Sequence, residues 1–228
     1  MVRHFEQELQ NLRSMLIKMG SIAELSIERA IEAVLTQNRE LAQSVIDDDN
    51  QINSYEIVID NAIIDLLALQ QPVASDLRLI LAATKINNDL ERIGDHAVNL
   101  AESALNLSNK ELPPAPVQDI IAMCTVTRKM LSDALDSFIH VDAVMGESVV
   151  MLDDTVDDYN RKLSKDLLEI MKSDPGLIEQ SLELVRVSKN LERVADLTTN
   201  IAEEVVFVAK AKVIKHHASS LDFEGPAS

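Results

Sequence analysis

Two short acidic motifs contain the residues of this chain that are best suited to chemistry. Glu91 and Asp95 stand four positions apart, and the same Glu-x-x-x-Asp spacing recurs 101 residues later at Glu192 and Asp196. Four positions is about one helical turn, so on a helix each motif presents two carboxylates on one face. Oxygen donors suit Mg²⁺, Mn²⁺ or Ca²⁺, and carboxylate clusters also hold iron and zinc. The spacing therefore suggests one cation site in each half of the chain.

A second pair of polar residues lies upstream of each acidic motif. Asp49 and Asn53 in the first half correspond to Asp153 and Asp157 in the second, at an offset of 104 residues. If each half folds into an antiparallel helical hairpin that turns at the intervening proline, Asp49 lies level with about residue 97 and Asp153 with about residue 198. Three or four carboxylates then meet on one face of each hairpin. They need a cation, which either bound metal or neighbouring Lys and Arg side chains can supply.

Two alternatives for these residues involve no metal. An acidic helix face is often simply solvated, but acids four residues apart repel by ~0.3 kcal/mol and both halves keep them. Arg92 and Arg193 each follow a motif glutamate and could neutralise it within a structural ion-pair patch. At this point the sequence leaves both the metal site and the ion-pair patch open.

The elements that must position these residues are long helices. Apolar residues recur at intervals of three and four, and the prolines fall only between the periodic segments. Asn38 and Asp142 stand at positions typical of helix N-caps. The pattern predicts six helices, at about 5–35, 38–71, 75–108, 117–139, 142–172 and 177–212.

An internal repeat divides these helices into two sets of three. The sequence Leu-Glu-Arg-Ile-Gly-Asp at 90–95 recurs as Leu-Glu-Arg-Val-Ala-Asp at 191–196. We therefore predict an all-α protein of two tandem three-helix bundles related by an internal duplication. The expected units are residues 1–110 and residues 111–213, followed by a mobile tail at 214–228.

The composition excludes several classes of protein. Five Gly and six Pro are too few for a turn-rich sandwich or barrel. The 38 acidic residues outnumber the 21 basic ones, and a net charge of −17 disfavours binding to nucleic acid. The single cysteine, Cys124, cannot form an internal disulfide, and the N-terminus lacks the apolar segment of a secretory signal. These features indicate a cytoplasmic protein, and since the longest uncharged stretch is too short to span a bilayer, we expect no insertion into the membrane.

The duplicated motifs resemble those of the PhoU family of phosphate-signalling proteins. The resemblance rests on the two Leu-Glu-Arg motifs, on Pro-Val-Ala-Ser-Asp-Leu-Arg at 72–78 and on Asn-Ile-Ala-Glu-Glu-Val at 200–205, and it covers about residues 5–212. It implies two three-helix bundles with pseudo-twofold symmetry and multinuclear metal clusters. The metal is left open between iron, zinc, manganese and magnesium. The implied ligands are Asp49, Glu91 and Asp95 in the first half, with Asn53 in place of an acid, and Asp153, Asp157, Glu192 and Asp196 in the second.

The resemblance also implies a biological role. Members of this family act as adaptors between the phosphate ABC transporter and the phosphate-sensing histidine kinase, and they repress the phosphate regulon and restrain uptake when phosphate is plentiful. The expected partners are therefore the transporter subunits and the kinase, reached at the inner face of the membrane through protein contacts. A homodimer is kept as a candidate oligomeric state.

Two enzyme classes compete with this interpretation. A ferritin-like di-metal oxidase would place His three residues after each ligand Glu, where this chain has Gly94 and Ala195. A metal-dependent, carboxylate-bridged hydrolase using metal-bound water is compatible with the composition. The sequence, however, shows no evident set of residues that would form and activate a nucleophile. Cys124 lies in an apolar helical stretch and is expected in the core. We therefore expect a regulatory adaptor and no enzyme.

Overall fold

The computed structural model describes residues 2–70 and 72–211, which form eight α-helices and one 3₁₀ turn at Pro175–Leu177. No strand occurs within these described ranges. The helices are α1 (Val2–Thr36), α2 (Arg39–Asp48), α3 (Asn50–Gln70), α4 (Ala74–Leu107), α5 (Pro114–His140), α6 (Ala143–Val150), α7 (Asp153–Ser173) and α8 (Ile178–Lys210).

The helices form two similar bundles. In the first, α1, α3 and α4 pack against one another, and α2 lies on α1 and α4. In the second, α5, α7 and α8 pack in the same way, and α6 lies on α5 and α8. The bundles meet where α4 contacts α8 and α1 contacts α5. The predicted all-α fold of two tandem helical repeats is confirmed.

The prediction of a continuous second helix in each half is wrong. In the first half the helix is interrupted at Asp49, and in the second half at 151–152, immediately before Asp153. The first break falls within the acidic run 47–49, where aspartates have low helix propensity and repel one another, and the second falls at two apolar residues directly before Asp153 and Asp154. The breaks place Asp49 and Asp153 at the starts of α3 and α7, where the helix dipole favours a negative charge.

The predicted helix starts are partly correct. The side chain of Asn38 accepts a hydrogen bond from the Leu41 amide, and Asp142 caps α6 through the Val144 and Met145 amides. The fourth predicted helix begins three residues earlier than expected, at Pro114. Proline is tolerated in a first helical turn because the N–H groups there have no partner within the helix.

A single hydrophobic core runs through both bundles. The apolar positions that recur along the third and sixth predicted helices are buried: Leu90 and Leu191, which are equivalent in the repeat, are fully inaccessible to solvent. Cys124 lies in this core, where burial raises the pKa of its thiol to about 12. The expectation that this cysteine is a core residue is confirmed.

Ion pairs join the two halves along the antiparallel helices α4 and α8. Lys85 Nζ lies 2.7 Å from Glu204 Oε1, and the side chain of Glu204 is only 5% exposed. The residue equivalent to Lys85 in the second half is Arg186, whose Nη2 lies 2.5 Å from Glu102 Oε2. The two basic residues are thus equivalent in the duplication, but their acidic partners are not, because Glu102 corresponds to Glu203 and Glu204 corresponds to Ser103.

The proposed division into units at residue 110 and the mobile tail remain predictions. Residues 212–228, which include that tail, lie outside the described residues. Across 2–70 and 72–211, no helix combines the length and the apolar character needed to cross a membrane.

Candidate functional site

The first acidic cluster lies where α3 approaches α4. It comprises Asp49 at the start of α3, Asn53 one turn later, and Glu91 and Asp95 on α4. Asn53 Nδ2 donates a hydrogen bond of 2.9 Å to Asp49 Oδ2. A Cβ atom on Gly94 would lie 3.2 Å from Asp49 Oδ1, so the glycine permits this close approach of the two helices.

The carboxylates of the first cluster are close enough to disturb one another's ionisation. Burial raises the pKa of Asp49, the Asn53 hydrogen bond opposes the rise, and the charge of Asp95 adds to it. Burial also raises the pKa of Glu91, as do the charges of Asp95, Glu56 and Asp49. Glu56 on α3 is thus a further acid at this site that the sequence analysis did not identify.

The second acidic cluster repeats this arrangement between α7 and α8. It comprises Asp153 and Asp157 on α7 with Glu192 and Asp196 on α8. Burial, followed by the charges of Asp196 and Asp157, raises the pKa of Asp153 to about 6. Burial and the charge of Glu192 raise the pKa of Asp196. The structure therefore brings the four predicted acids of the second half together.

Basic side chains are bound to the second cluster. Arg193 Nη1 donates to Asp196 Oδ2 at 2.9 Å, and Lys189 Nζ donates to Glu192 Oε1 at 2.5 Å. Arg161 Nη1 lies 3.3 Å from an oxygen of the fourth acid, Asp157. The ion-pair alternative is therefore realised in part in the second half.

The first cluster has fewer basic neighbours because the repeat has diverged. Asn88 stands where the second half has Lys189, and Ile57 stands where it has Arg161. Arg92 is directed to Asp89, with Nη1 3.7 Å from Oδ1, although its charge still lowers the pKa of Glu91. The first cluster is consequently the less neutralised of the two.

Both clusters offer oxygen donor atoms, which hard cations prefer, but these oxygens do not converge on a common point. Within the described part of the chain, no three His, Cys, Asp or Glu side chains are arranged to hold a metal ion as they stand. In the second cluster, however, Glu192 Oε2 is buried without a hydrogen-bond partner, 3.6 Å from Arg193 Nε. A buried carboxylate oxygen without a hydrogen-bond partner suits an oxygen-binding cation such as Mg²⁺ or Mn²⁺. The other three carboxylates of the cluster lie nearby, and burial and like charges raise the pKa of Asp153 and Asp196.

Replacing Gly94 by Val is expected to lower the free energy of unfolding by about 1–3 kcal/mol. The new Cβ would lie 2.8 Å from Ile52 Cδ1, so the two helices must separate or the isoleucine must move. Chemical denaturation monitored by circular dichroism measures the change. Thr84→Val, at an exposed position of the same helix, is the control and should change stability by less than about 0.5 kcal/mol. Equal stability of both variants would show that the approach at Gly94 is not tight.

The structural comparisons support the duplicated architecture. The chain superimposes on the crystal structure of PhoU from Pseudomonas aeruginosa with a TM-score of 0.89 and 36% sequence identity, covering 91% of this chain and 100% of that one. The phosphate transport system regulatory protein PhoU from Streptococcus pneumoniae gives a TM-score of 0.85 at 28% identity, covering 92% of this chain and 98% of that one.

Sequence comparisons agree with the structural ones. A Pseudomonas aeruginosa protein named phosphate-specific transport system accessory protein PhoU homolog is 36% identical over 214 residues, which are 94% of this chain and 88% of that protein. An Aquifex aeolicus protein of the same name is 37% identical over 92% of this chain and 95% of its own length. The family model described as PhoU domain matches twice, at residues 16–104 and 120–205, once in each bundle. The chain therefore belongs to the PhoU family.

Proposed function

We propose that this protein is a regulatory accessory protein of a phosphate transport system. The observation that carries the proposal is the similarity, over nearly the whole chain, to relatives named for that accessory role, together with the two acidic clusters at equivalent places in the repeat. In this role it links the phosphate ABC transporter to the phosphate-sensing histidine kinase. It represses the phosphate regulon and restrains uptake when phosphate is plentiful.

Metal binding by the two clusters is part of the proposal. Asp49, Glu91 and Asp95 would hold a cation in the first half, with Asn53 as an amide donor. The second half would use four carboxylates, those of Asp153, Asp157, Glu192 and Asp196. When bound, the cation supplies the positive charge that these acids need, and the raised pKa values of Asp49, Glu91, Asp153 and Asp196 support that need. Lys189 and Arg193 must turn away from their carboxylates to admit it.

The proposed role is binding and regulation without catalysis. The positions three residues after Glu91 and Glu192 are occupied by Gly94 and Ala195, which cannot ligate a metal. The thiol of Cys124 is buried in the core with its pKa raised to about 12, so it is not a usable nucleophile. These observations favour an adaptor over an oxidase or a hydrolase.

The proposed location is the cytoplasmic side of the membrane, reached through protein partners. A chain with a net charge of −17 gains nothing from an anionic lipid surface, to which basic residues supply the attraction. Contact with the membrane therefore depends on the transporter or the kinase.

Deleting the gene is expected to leave a phosphate-regulon reporter switched on in phosphate-rich medium, because the kinase loses its inhibitory input. Reporter output in phosphate-rich and phosphate-poor cultures measures this. A plasmid carrying the unaltered gene should restore repression. Normal repression in the deletion strain would contradict the regulatory proposal. Chelator-sensitive hydrolysis of a phosphate ester by the purified protein would support the hydrolase instead.

A further inference from the structure

The two acidic clusters contain the same number of acids but differ in how these are neutralised. Each has four carboxylates once Glu56 is counted in the first cluster. In the second cluster three of the four form ion pairs: Asp157 with Arg161, Glu192 with Lys189, and Asp196 with Arg193. Among the described residues, no ion pair reaches the acids of the first cluster, which are Asp49, Glu56, Glu91 and Asp95. Four negative charges therefore meet three positive ones in the second cluster and no paired one in the first.

Two differences between the repeats produce this contrast directly. Lys189 and Arg161 stand in the second bundle where Asn88 and Ile57 stand in the first. Lys189 Nζ lies 2.5 Å from an oxygen of Glu192, which is three residues further along α8. Asn88 occupies the same place one turn before the glutamate of the first cluster, but its amide carries no charge.

A third difference acts through a neighbouring residue. Arg92 and Arg193 are equivalent in the repeat, but Arg92 Nη1 lies 3.7 Å from Oδ1 of the buried Asp89, three residues earlier on α4. The residue equivalent to Asp89 is Asn190, a neutral side chain whose Nδ2 donates to a main-chain carbonyl oxygen. Because Asn190 offers no negative charge, Arg193 binds Asp196 instead. All three differences thus move positive charge away from the first cluster and onto the second.

The ion pairs of the second cluster oppose the entry of a cation. The side chain of Glu192 is only 12% exposed, and its two oxygens face Lys189 Nζ at 2.5 Å and Arg193 Nε at 3.6 Å. A cation that binds this carboxylate must displace at least one of these groups, and the positive charge that stays nearby repels it. Asp153 has no ion pair among the described residues, and burial and like charges raise its pKa to about 6, so a cation is still favoured there. The second cluster therefore binds a cation only against competition from its own basic side chains.

We propose that the two clusters load in order, the first at a lower cation concentration than the second, because Lys189, Arg161 and Arg193 compete with the cation in the second cluster only. We expect a difference of about tenfold, since groups next to metal ligands typically change metal affinity by about 10–100-fold. The inference rests on the metal binding proposed above, and it adds which cluster fills first and which side chains set the difference. Loading the second cluster releases these basic side chains at the surface of α7 and α8, whereas the first cluster has no such pairs to release among the described residues.

The test measures the binding of Mn²⁺ to the purified protein after its metal has been removed, with free Mn²⁺ quantified from its electron paramagnetic resonance signal. We expect two classes of binding whose dissociation constants differ by about tenfold. Asp95→Asn alone should abolish the tighter class, and Asp196→Asn alone should abolish the weaker one. Equal affinity at both clusters, or loss of the tighter class in Asp196→Asn, would overturn the inference and leave metal binding itself intact.

Exchanging equivalent residues between the bundles tests the competing ammonium group. Lys189→Asn should tighten Mn²⁺ binding at the second cluster about tenfold, and Asn88→Lys should weaken binding at the first cluster by a similar factor. Both positions are exposed, so the melting temperature of the metal-free protein should stay the same. The matched control is Lys172→Asn, which removes the same charge near the other end of α7, where Lys172 pairs with Glu169, and it should leave both affinities unchanged. Unchanged affinities in the two exchange variants would also overturn the inference, whereas binding of no Mn²⁺ at all would overturn it together with metal binding at both clusters.

Discussion

We expect the unaltered protein to purify with bound metal and a variant carrying Asp95→Asn and Asp196→Asn to purify without it. Asp95 contributes negative charge at both Asp49 and Glu91, and Asp196 does so at Asp153, so each substitution removes a central charge from its cluster. An amide binds a hard cation more weakly than a carboxylate does. Elemental analysis of protein purified without chelator measures the metal content, and we expect a loss of about tenfold or more.

The control for this variant removes the same two charges elsewhere. Asp65→Asn with Asp166→Asn changes one acid on α3 and one on α7 outside the clusters and should retain the metal. Metal that survives in the cluster variant would place the ligands elsewhere in the protein. Stripping the metal from the unaltered protein should lower its melting temperature, since a cation bound only to the folded state stabilises it. No change on stripping would favour the ion-pair alternative.

Replacing Lys85 by Ala is expected to lower the free energy of unfolding by about 3 kcal/mol. The substitution removes the 2.7 Å contact to Glu204, whose carboxylate is almost inaccessible to solvent. Removing one partner of a buried ion pair costs about 3–5 kcal/mol. Because the Lys85 ammonium is half-exposed, we expect a loss at the lower end of that range. Urea denaturation measures the difference.

A second lysine between the same two halves provides the comparison. Lys110 lies 3.0 Å from Glu179, but that glutamate is 80% exposed, so Lys110→Ala should cost less than about 1 kcal/mol. Equal losses in the two variants would mean that burial of Glu204 does not govern the strength of its ion pair.

The register of the two hairpins could be predicted from the sequence because the helical period and the proline turns leave little freedom. An antiparallel hairpin that turns at the proline puts Asp49 level with about residue 97. The structure places Asp49 beside Gly94, less than one helical turn away. Asn87 Nδ2 donates to Asp60 Oδ1 at 2.9 Å, which is consistent with the same register further along the hairpin. The two side-chain N-caps and the buried apolar positions follow equally from local patterns, whereas the number of helices does not.

Features that depend on contacts between helices could not be predicted in this way. The interruption at Asp49 leaves its backbone in a helical conformation, so no Gly or Pro marks it in the sequence. The binding of Lys189 and Arg161 to the second cluster depends on which face of each helix meets the other. Glu56 was missed for a similar reason, since its equivalent in the second half is Asn160 and the repeat gave no signal.

The shared core of the two bundles has a consequence for how the chain folds. Helices α4 and α8 pack side by side although about one hundred residues separate them along the sequence. Such distant contacts slow folding, because a long loop must close before they form. During synthesis, α4 emerges long before α8 and leaves apolar surface uncovered until the second bundle is complete. Duplication has thus given two recognisable repeats that must finish folding together.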